Sequence, residues 1–369
     1  MRDVLADILR WNSQGEAVAL ATVVRTWGSS PRIPGSKMAV SRSGEMAGSV
    51  SAGCVEGAVV EESLGVLKTG RPRSVHYGVS DDAALEVGLA CGGEMDIFIE
   101  PLAPLLRPGP EGGPSAFDLL RSSLEKGSPL VRATIIRGPS ELLGQTLLVP
   151  QDGSVAGSLA AELLPQVLRE AQAALAVAGT QIHDYPSGTE IFFETQLPPP
   201  TLIVVGAAHV GMEVAKIGKL LGFRLVIVDP RRAFGTSDRF PQADQVTNLW
   251  PDKALLAIGL TPSTAVVVLS HDPKIDDPAL LVALRSDAFY VGALGSERTQ
   301  RLRRERLLAQ GIAPAQLARM RAPIGLALGG RAPEEIALSI LAEIVAVRSG
   351  SALARRDQPQ GSPSDPAVP

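Results

Sequence analysis

The chain has 369 residues, enough for about two domains; its 45% apolar and 20% charged residues supply sizeable cores and exclude disorder as the main state. Lys and Arg number 35 against 39 Asp and Glu, a net charge of −4, and only 4% of residues are aromatic, so neither nucleic acid nor anionic membrane is an expected partner. Two cysteines exclude a disulfide framework, and with Asp3 and Asp7 near the start and no apolar run of about 18 residues a soluble cytoplasmic protein is expected.

Val4, Leu5, Ile8 and Leu9 predict an opening amphipathic helix. Ala17 to Thr26 reads as a buried strand, followed by the turn residues Trp27 to Gly35. Lys37–Ser41 and Glu45–Val50 read as two more strands, Cys54 to Leu67 as a helix, and Asp96–Glu100 as a further strand.

An internal pseudo-repeat relates residues 17–101 to residues 129–196. Ala21-Thr22-Val23-Val24-Arg25 matches Ala133-Thr134-Ile135-Ile136-Arg137. Gly44 to Val50 matches Gly153 to Leu159, and Asp96-Ile97-Phe98-Ile99-Glu100 matches Glu190-Ile191-Phe192-Phe193-Glu194. The second copy lacks the Gly-Ser-Ser-Pro-Arg turn and both cysteine loops, so the first copy is the expected carrier of chemistry. Residues 103–115, crowded with Pro and Gly, read as a linker between the copies. The fold class expected is α/β: an α+β domain built from this degenerate repeat over 1–197, a boundary at Pro198-Pro199-Pro200, a Rossmann-like doubly wound parallel-sheet domain over 201–348, and a disordered tail over 349–369. In the second domain Leu202–Val205, Leu225–Val228, Ala265–Leu269 and Phe289–Val291 read as buried parallel strands, with helices from His209 to Leu221 and from Pro333 onward.

Five groups of residues could carry chemistry. Gly206-Ala207-Ala208-His209-Val210-Gly211 fills the place of a dinucleotide fingerprint, with Asp229 about where a ribose-binding acid belongs and Arg231 and Arg232 beyond it. Ala208 would crowd a pyrophosphate, and tight packing alone could require Gly206 and Gly211. Cys54, in Gly48-Ser49-Val50-Ser51-Ala52-Gly53-Cys54-Val55-Glu56, is expected among free backbone amides near a helix start, which favours a thiolate; a small buried hydrophobe is the alternative. Cys91, followed by Gly92 and Gly93, has room for a bulky ligand. Neither cysteine has CxxC spacing, which argues against structural zinc, and His76 between them is expected to be a structural hydrogen-bonding residue. Arg25, Ser29, Ser30, Arg32 and Lys37 could bind a phosphate or the edge of a pterin, or form a solvated hairpin. Ser270-His271-Asp272 lies at a strand C-terminus where ligands of open sheets bind, although Asp272 and Ser296 could simply cap helices.

Gly28-Ser29-Ser30-Pro31-Arg32, the Gly48–Glu56 run and Cys91-Gly92-Gly93 resemble the N-terminal signature of the XdhC/CoxI family. Gly206–Gly211, Ser270-His271-Asp272, Gly292-Ala293-Leu294-Gly295-Ser296 and Pro323-Ile324-Gly325-Leu326 resemble its C-terminal Rossmann half. Ala52 and Ala208 stand where the family usually has Gly. The resemblance implies an accessory factor without turnover of its own, which binds molybdenum cofactor (molybdopterin) and protects it while a cysteine desulfurase supplies a sulfido ligand. It would then deliver the cofactor to an apo molybdenum hydroxylase of the xanthine dehydrogenase or carbon monoxide dehydrogenase type. Cys54 and Cys91 would face the metal or the transferred sulfur. Arg25, Ser29, Ser30 and Arg32, with Gly92 and Gly93, would hold the pterin or its phosphate. Gly206, His209, Gly211, Asp229, His271 and Asp272 would hold a phosphate or nucleotide portion, in a crevice between the domains. A homodimer is expected from family habit. An NAD(P)-binding oxidoreductase is the competing reading, and a pure protein adaptor a third.

Overall fold

The computed structural model describes residues 1–78, 93–109, 112–175 and 179–354, and the chain divides between Pro198 and Pro199 into two units. The first unit opens with α1 (Arg2–Ser13), which buries Val4, Ile8 and Trp11 on one helical face. Next come β1 (Val18–Trp27), β2 (Lys37–Ser41), β3 (Met46–Gly48), α2 (Glu56–Thr69), β4 (Arg73–Tyr77) and β5 (Glu94–Pro101). The helix α3 (Ala116–Lys126) follows, its start fixed by reciprocal hydrogen bonds between Ser115 and Asp118. Then come β6 (Leu130–Arg137), β7 (Thr146–Pro150), β8 (Ala156–Ser158), α4 (Leu164–Ala174), β9 (Gly179–Tyr185) and β10 (Thr189–Gln196).

The strands form two antiparallel sheets of one topology, β3-β2-β1-β5-β4 and β8-β7-β6-β10-β9. The segments matched in sequence occupy matching strands: β1 with β6, β3 with β8, β5 with β10. Gly48 and Gly157 show why a small residue recurs in β3 and β8. Both have positive φ, and an added Cβ would lie 2.4 Å from the Lys37 carbonyl oxygen in one sheet and 2.1 Å from that of Thr146 in the other. β1 is buried through seven successive residues because both of its faces are covered. Ala19, Ala21 and Val23 pack with Val59 and Val66 of α2; the corresponding face of β6 packs with Val167 and Ala171 of α4.

Between the sheets lies a core made of matching pairs: Val24 with Ile136, and Phe98 with Phe192. Beside it are two buried ion pairs that cross from one sheet to the other. Lys37 Nζ lies 2.9 Å from Glu194 Oε2, and Arg132 Nη2 lies 2.5 Å from Glu100 Oε1. The two glutamates are equivalent in the repeat, whereas their cations come from non-equivalent positions. Lys37 therefore cannot join the phosphate-binding group expected from sequence: it is buried and committed to Glu194.

The second unit contains β11 (Thr201–Val205), α5 (His209–Leu220), β12 (Arg224–Val228), β13 (Gln245–Thr247), α6 (Pro251–Ile258), β14 (Thr264–Val268) and α7 (Pro273–Arg285). It continues with β15 (Tyr290–Ala293), α8 (Glu297–Ala309), α9 (Pro314–Leu317), β16 (Met320–Arg321) and α10 (Pro333–Arg348). Its parallel sheet runs β13-β12-β11-β14-β15-β16, the strand order of a dinucleotide-type Rossmann domain. Ile203, Val205, Val266 and Val268 pack with α6 and α7 on one face. Leu202, Val204, Ala265 and Val267 pack with α5 and α10 on the other. Among the described residues no helix is long and apolar enough to cross a membrane.

Replacing Arg132 by Met keeps bulk but leaves the Glu100 carboxylate buried without its counter-charge. The expected cost is about 3–5 kcal/mol, read as a lower urea midpoint; a loss below about 1 kcal/mol would show that the buried Glu100 carboxylate does not depend on Arg132.

Candidate functional site

In the first unit the loop between β3 and α2 is organised by one carboxylate. Glu56, the first residue of α2, turns back and gathers the loop around itself. Its Oε1 accepts from Ser49 Oγ at 2.8 Å and from the Ser51 amide at 2.9 Å, and its Oε2 accepts from the Gly53 amide at 2.8 Å and from Ser51 Oγ. Two further amides are spent locally, Ala52 N–H on Ser49 Oγ and Val55 N–H on Ser51 Oγ. The expectation of free backbone amides around Cys54 is corrected for four of them: the amides of Ser51, Ala52, Gly53 and Val55 are taken up by Glu56 and the two serines. Burial raises the Glu56 pKa, but the hydrogen bonds from the Ser51 and Ser49 hydroxyls and the Ser51 amide outweigh it and bring it down to about 2.

Cys54 lies two residues before α2, half-buried as a free thiol, with its inner side against the core that includes Val55 and Val59. The residue before Gly53 is under backbone strain: Ala52 is held at φ +63°, the left-handed region that costs an L-residue about 1–2 kcal/mol.

Cys91 and Gly92 lie outside the described residues. Gly93 is described and sits against the turn that holds Ser29, where an added Cβ would come 2.4 Å from the Ser29 carbonyl oxygen. In that turn Ser29 and Arg32 are exposed, and Ser30 Oγ donates to the Arg32 carbonyl at 2.9 Å. Arg25 is differently placed. Its guanidinium lies 2.7 Å from Glu190 and 3.5 Å from Asp96, and Arg137, its counterpart in the repeat, holds the other oxygen of Glu190 at 3.0 Å. Arg25 thus ties the two copies together. It also lines a cavity of about 270 Å³ with Trp27, Pro34, Thr180 and Phe192. His76 Nδ1 pairs with Asp96 at 2.7 Å, the structural role expected of it.

In the second unit Gly206 turns the chain sharply out of β11 at φ +101°. An added Cβ there would lie 2.7 Å from the Ser270 nitrogen, and one on Gly211 would lie 2.6 Å from the Gly206 carbonyl oxygen. Packing of the turn against the neighbouring strand end, and of the helix against the turn, is reason enough for Gly206 and Gly211 respectively. Ala208 is the N-cap of α5, without a side-chain cap, and His209, the first residue of that helix, is exposed. Asp229 is fully buried and saturated. Its carboxylate accepts from the Ala207 amide at 2.8 Å, the Arg231 amide at 2.9 Å, and Arg231 Nε and Nη2 at 2.9 and 2.7 Å. Burial raises its pKa, but the Arg231 side chain and the Ala207 amide outweigh this and hold it below the usual range. Arg231, stacked over Phe234, occupies the carboxylate that a ribose would need.

At the end of β14, His271 is held at φ +63° and is exposed, beside the strand end that Gly206 abuts. Backbone strain of this kind is retained only where the surroundings enforce it. Asp272 caps α7 by accepting from the Lys274 amide, and Ser296 caps α8 in the same way through Thr299. Beneath them Ser270 Oγ, Asp276 and Arg303 form a buried chain, with 2.5 Å from Ser270 to Asp276 and 2.7 Å from Arg303 to Asp276.

A duplicated antiparallel-sheet unit carrying a half-buried cysteine at a helix start, followed by a Rossmann unit with a glycine turn, defines a two-domain class of protein. The XdhC and CoxI family model matches residues 11–78, and the XdhC Rossmann domain model matches residues 202–344. The chain belongs to the XdhC/CoxI family. It is similar to a probable xanthine dehydrogenase subunit of Bacillus subtilis (strain 168), at 28% identity over 91% of this chain and 94% of that protein. It is also similar to the molybdenum cofactor insertion chaperone PaoD of Escherichia coli (strain K12), at 28% identity over 90% of this chain and 84% of PaoD. A crystal structure described as a xanthine dehydrogenase from Bacillus halodurans shares the fold, with a TM-score of 0.76 over 95% of this chain and 97% of that one at 22% identity.

Two expectations follow for the Cys54 loop. Ala52→Gly, which relieves the left-handed φ, is expected to raise stability by about 0.5–1 kcal/mol in chemical unfolding. The folded-state pKa of Glu56, about 2, lies below its ordinary 4.5, so its stabilisation is complete above pH 5 and drains away as pH falls toward 2. The stability gap between wild type and Glu56→Gln should therefore narrow by about 2 kcal/mol between pH 5 and pH 3; unfolding curves that stay parallel over that range would contradict the role given to this carboxylate.

Proposed function

We propose that this protein carries molybdenum cofactor as cargo and delivers it to an apo molybdenum hydroxylase of the xanthine dehydrogenase or carbon monoxide dehydrogenase type. The observation that carries the reading is the similarity to PaoD, a molybdenum cofactor insertion chaperone, along most of both chains. Cys54 supports it: a partly exposed thiol at a helix start, on a loop kept rigid by Glu56, is a soft ligand suited to a thiophilic metal or its sulfur. Cys91 would supply the second thiol. Ser29, Ser30 and Arg32, on the exposed turn beside Gly93, would hold the pterin or its phosphate, with Arg25 at the rim.

The protein's own residues bind and shield the cargo; they break no bond in it. A cysteine desulfurase would supply the terminal sulfido ligand while the cargo is bound. In the Rossmann unit the amide-bearing start of α5, from Gly206 to Gly211, would attract a phosphate, with His209, His271 and Asp272 around it. Its strand order also favours a second reading, a nucleotide-binding oxidoreductase. The engagement of Asp229 by Arg231 speaks against a ribose bound there in the ordinary way.

The test mixes the purified full-length chain with cofactor released from a molybdenum enzyme, and separately with NADPH, then separates bound from free ligand. Molybdopterin should co-elute with the wild type and fall at least several-fold in Cys54→Ser and Cys91→Ser. Full retention by both variants would remove the thiols from the site, and co-elution of the nucleotide alone would favour the oxidoreductase.

A further inference from the structure

We propose that His209, Glu213 and Glu334 form a binding site for one divalent transition-metal cation in the Rossmann unit. The three side chains each offer one ligand atom, and these atoms all lie within 4.8 Å of one another. The arrangement follows from the helices. His209 and Glu213 are one turn apart and share a face of α5. Glu334 is the second residue of α10, which packs against α5 in the same core.

Two of the three groups, His209 and Glu334, are not spent on other work. The start of α10 is capped by the neighbouring Glu335, whose Oε2 accepts from the Arg331 and Ala332 amides, so Glu334 is not needed there. Among the described residues neither the His209 ring nor the Glu334 carboxylate makes a hydrogen bond or ion pair. Glu213 is the buried member of the three. Its side chain is 11% exposed on the packed side of α5, and its one cationic partner among the described residues is Lys216, at 2.8 Å with a side chain 56% exposed. A carboxylate is kept in such a place when it is paired or coordinates a metal. One exposed lysine on one oxygen leaves the other oxygen available.

The donor set indicates the ion. One imidazole and two carboxylates suit Zn²⁺, Mn²⁺ or Fe²⁺ better than Ca²⁺, which takes oxygen ligands alone. Metal–ligand bonds of about 2.0–2.2 Å require the three donors to stand closer together than the 4.8 Å within which they lie. The positive ends of α5 and α10 oppose a cation, and the two carboxylates offset that charge. Three protein ligands leave coordination positions open, as in metal sites that accept an outside ligand. His209 directly follows the Gly206–Ala208 turn, so a phosphate oxygen is the ligand class that both the cation and the helix amides would attract. The cation site itself does not depend on the molybdenum-cofactor reading.

The test uses the full-length chain stripped with a chelator and titrated calorimetrically with Zn²⁺ and with Mn²⁺, the latter also followed by electron paramagnetic resonance. One ion per chain should bind. His209→Ala and Glu334→Gln, substitutions at exposed positions on two different helices, should each weaken it by about tenfold or more while leaving the metal-free melting temperature unchanged. Binding of equal strength in both variants, or no binding of either ion by the wild type, would overturn the proposal. A fall in metal-free stability in both variants would also overturn it, by showing that the residues serve packing.

Discussion

A single carboxylate sets the shape of the loop on which the functional reading depends. Without Glu56, the run from Ser49 to Val55 would have several backbone amides and two hydroxyls competing for water at the open end of α2. With it, six donors converge on one charged acceptor or on the serines that flank it. The helix dipole favours negative charge at the same point, so local geometry and electrostatics agree. The consequence for Cys54 is positional. The thiol is presented by a loop whose shape is already settled, at the edge of a core rather than inside it. The left-handed Ala52 is the strain that this closure imposes.

The duplicated sheets give that loop its platform. Two copies of one topology face each other through equivalent residues, Val24 and Phe98 against Ile136 and Phe192. Equivalent acids, Glu100 and Glu194, each find a cation across the interface. Buried charges of this kind specify how two surfaces fit more than they add to stability, because desolvation consumes most of the Coulombic gain. Arg25 and Arg137 on the shared Glu190 extend the same logic to the rim. The second copy lacks the Gly-Ser-Ser turn and the cysteines, which frees the first to carry them.

Much of this was legible in the residues. The parallel strands around Leu202–Val205 and Ala265–Leu269 are continuous apolar runs, and strands covered on both faces read that way. The turn and helix at Gly206–Leu220 were marked by glycine and by period. The edge strands β4 and β9 were not: only Tyr185 among their residues is buried, so neither alternation nor apolar run betrays them. The closure by Glu56 escaped for a different reason. A capping box places the acid three residues after the hydroxyl, whereas Ser51 and Glu56 are five apart. The engagement of Asp229 by Arg231, two residues on, gave no sign in the pattern, since the same pair of residues reads equally well as a phosphate site. The meeting of Glu334 with His209 and Glu213 joins residues more than a hundred positions apart, which only the packing of α10 on α5 brings together.

The proposed role of this chain is to hand molybdenum cofactor to another protein. The most direct measurement compares two ways of activating a cofactor-free molybdenum hydroxylase: with cofactor loaded on this protein, and with the same concentration of free cofactor. Faster and more complete activation by the loaded protein is expected, with the advantage lost in Cys54→Ser. Equal activation by both routes, or cofactor that stays on this protein when the apo-enzyme is added, would contradict the account.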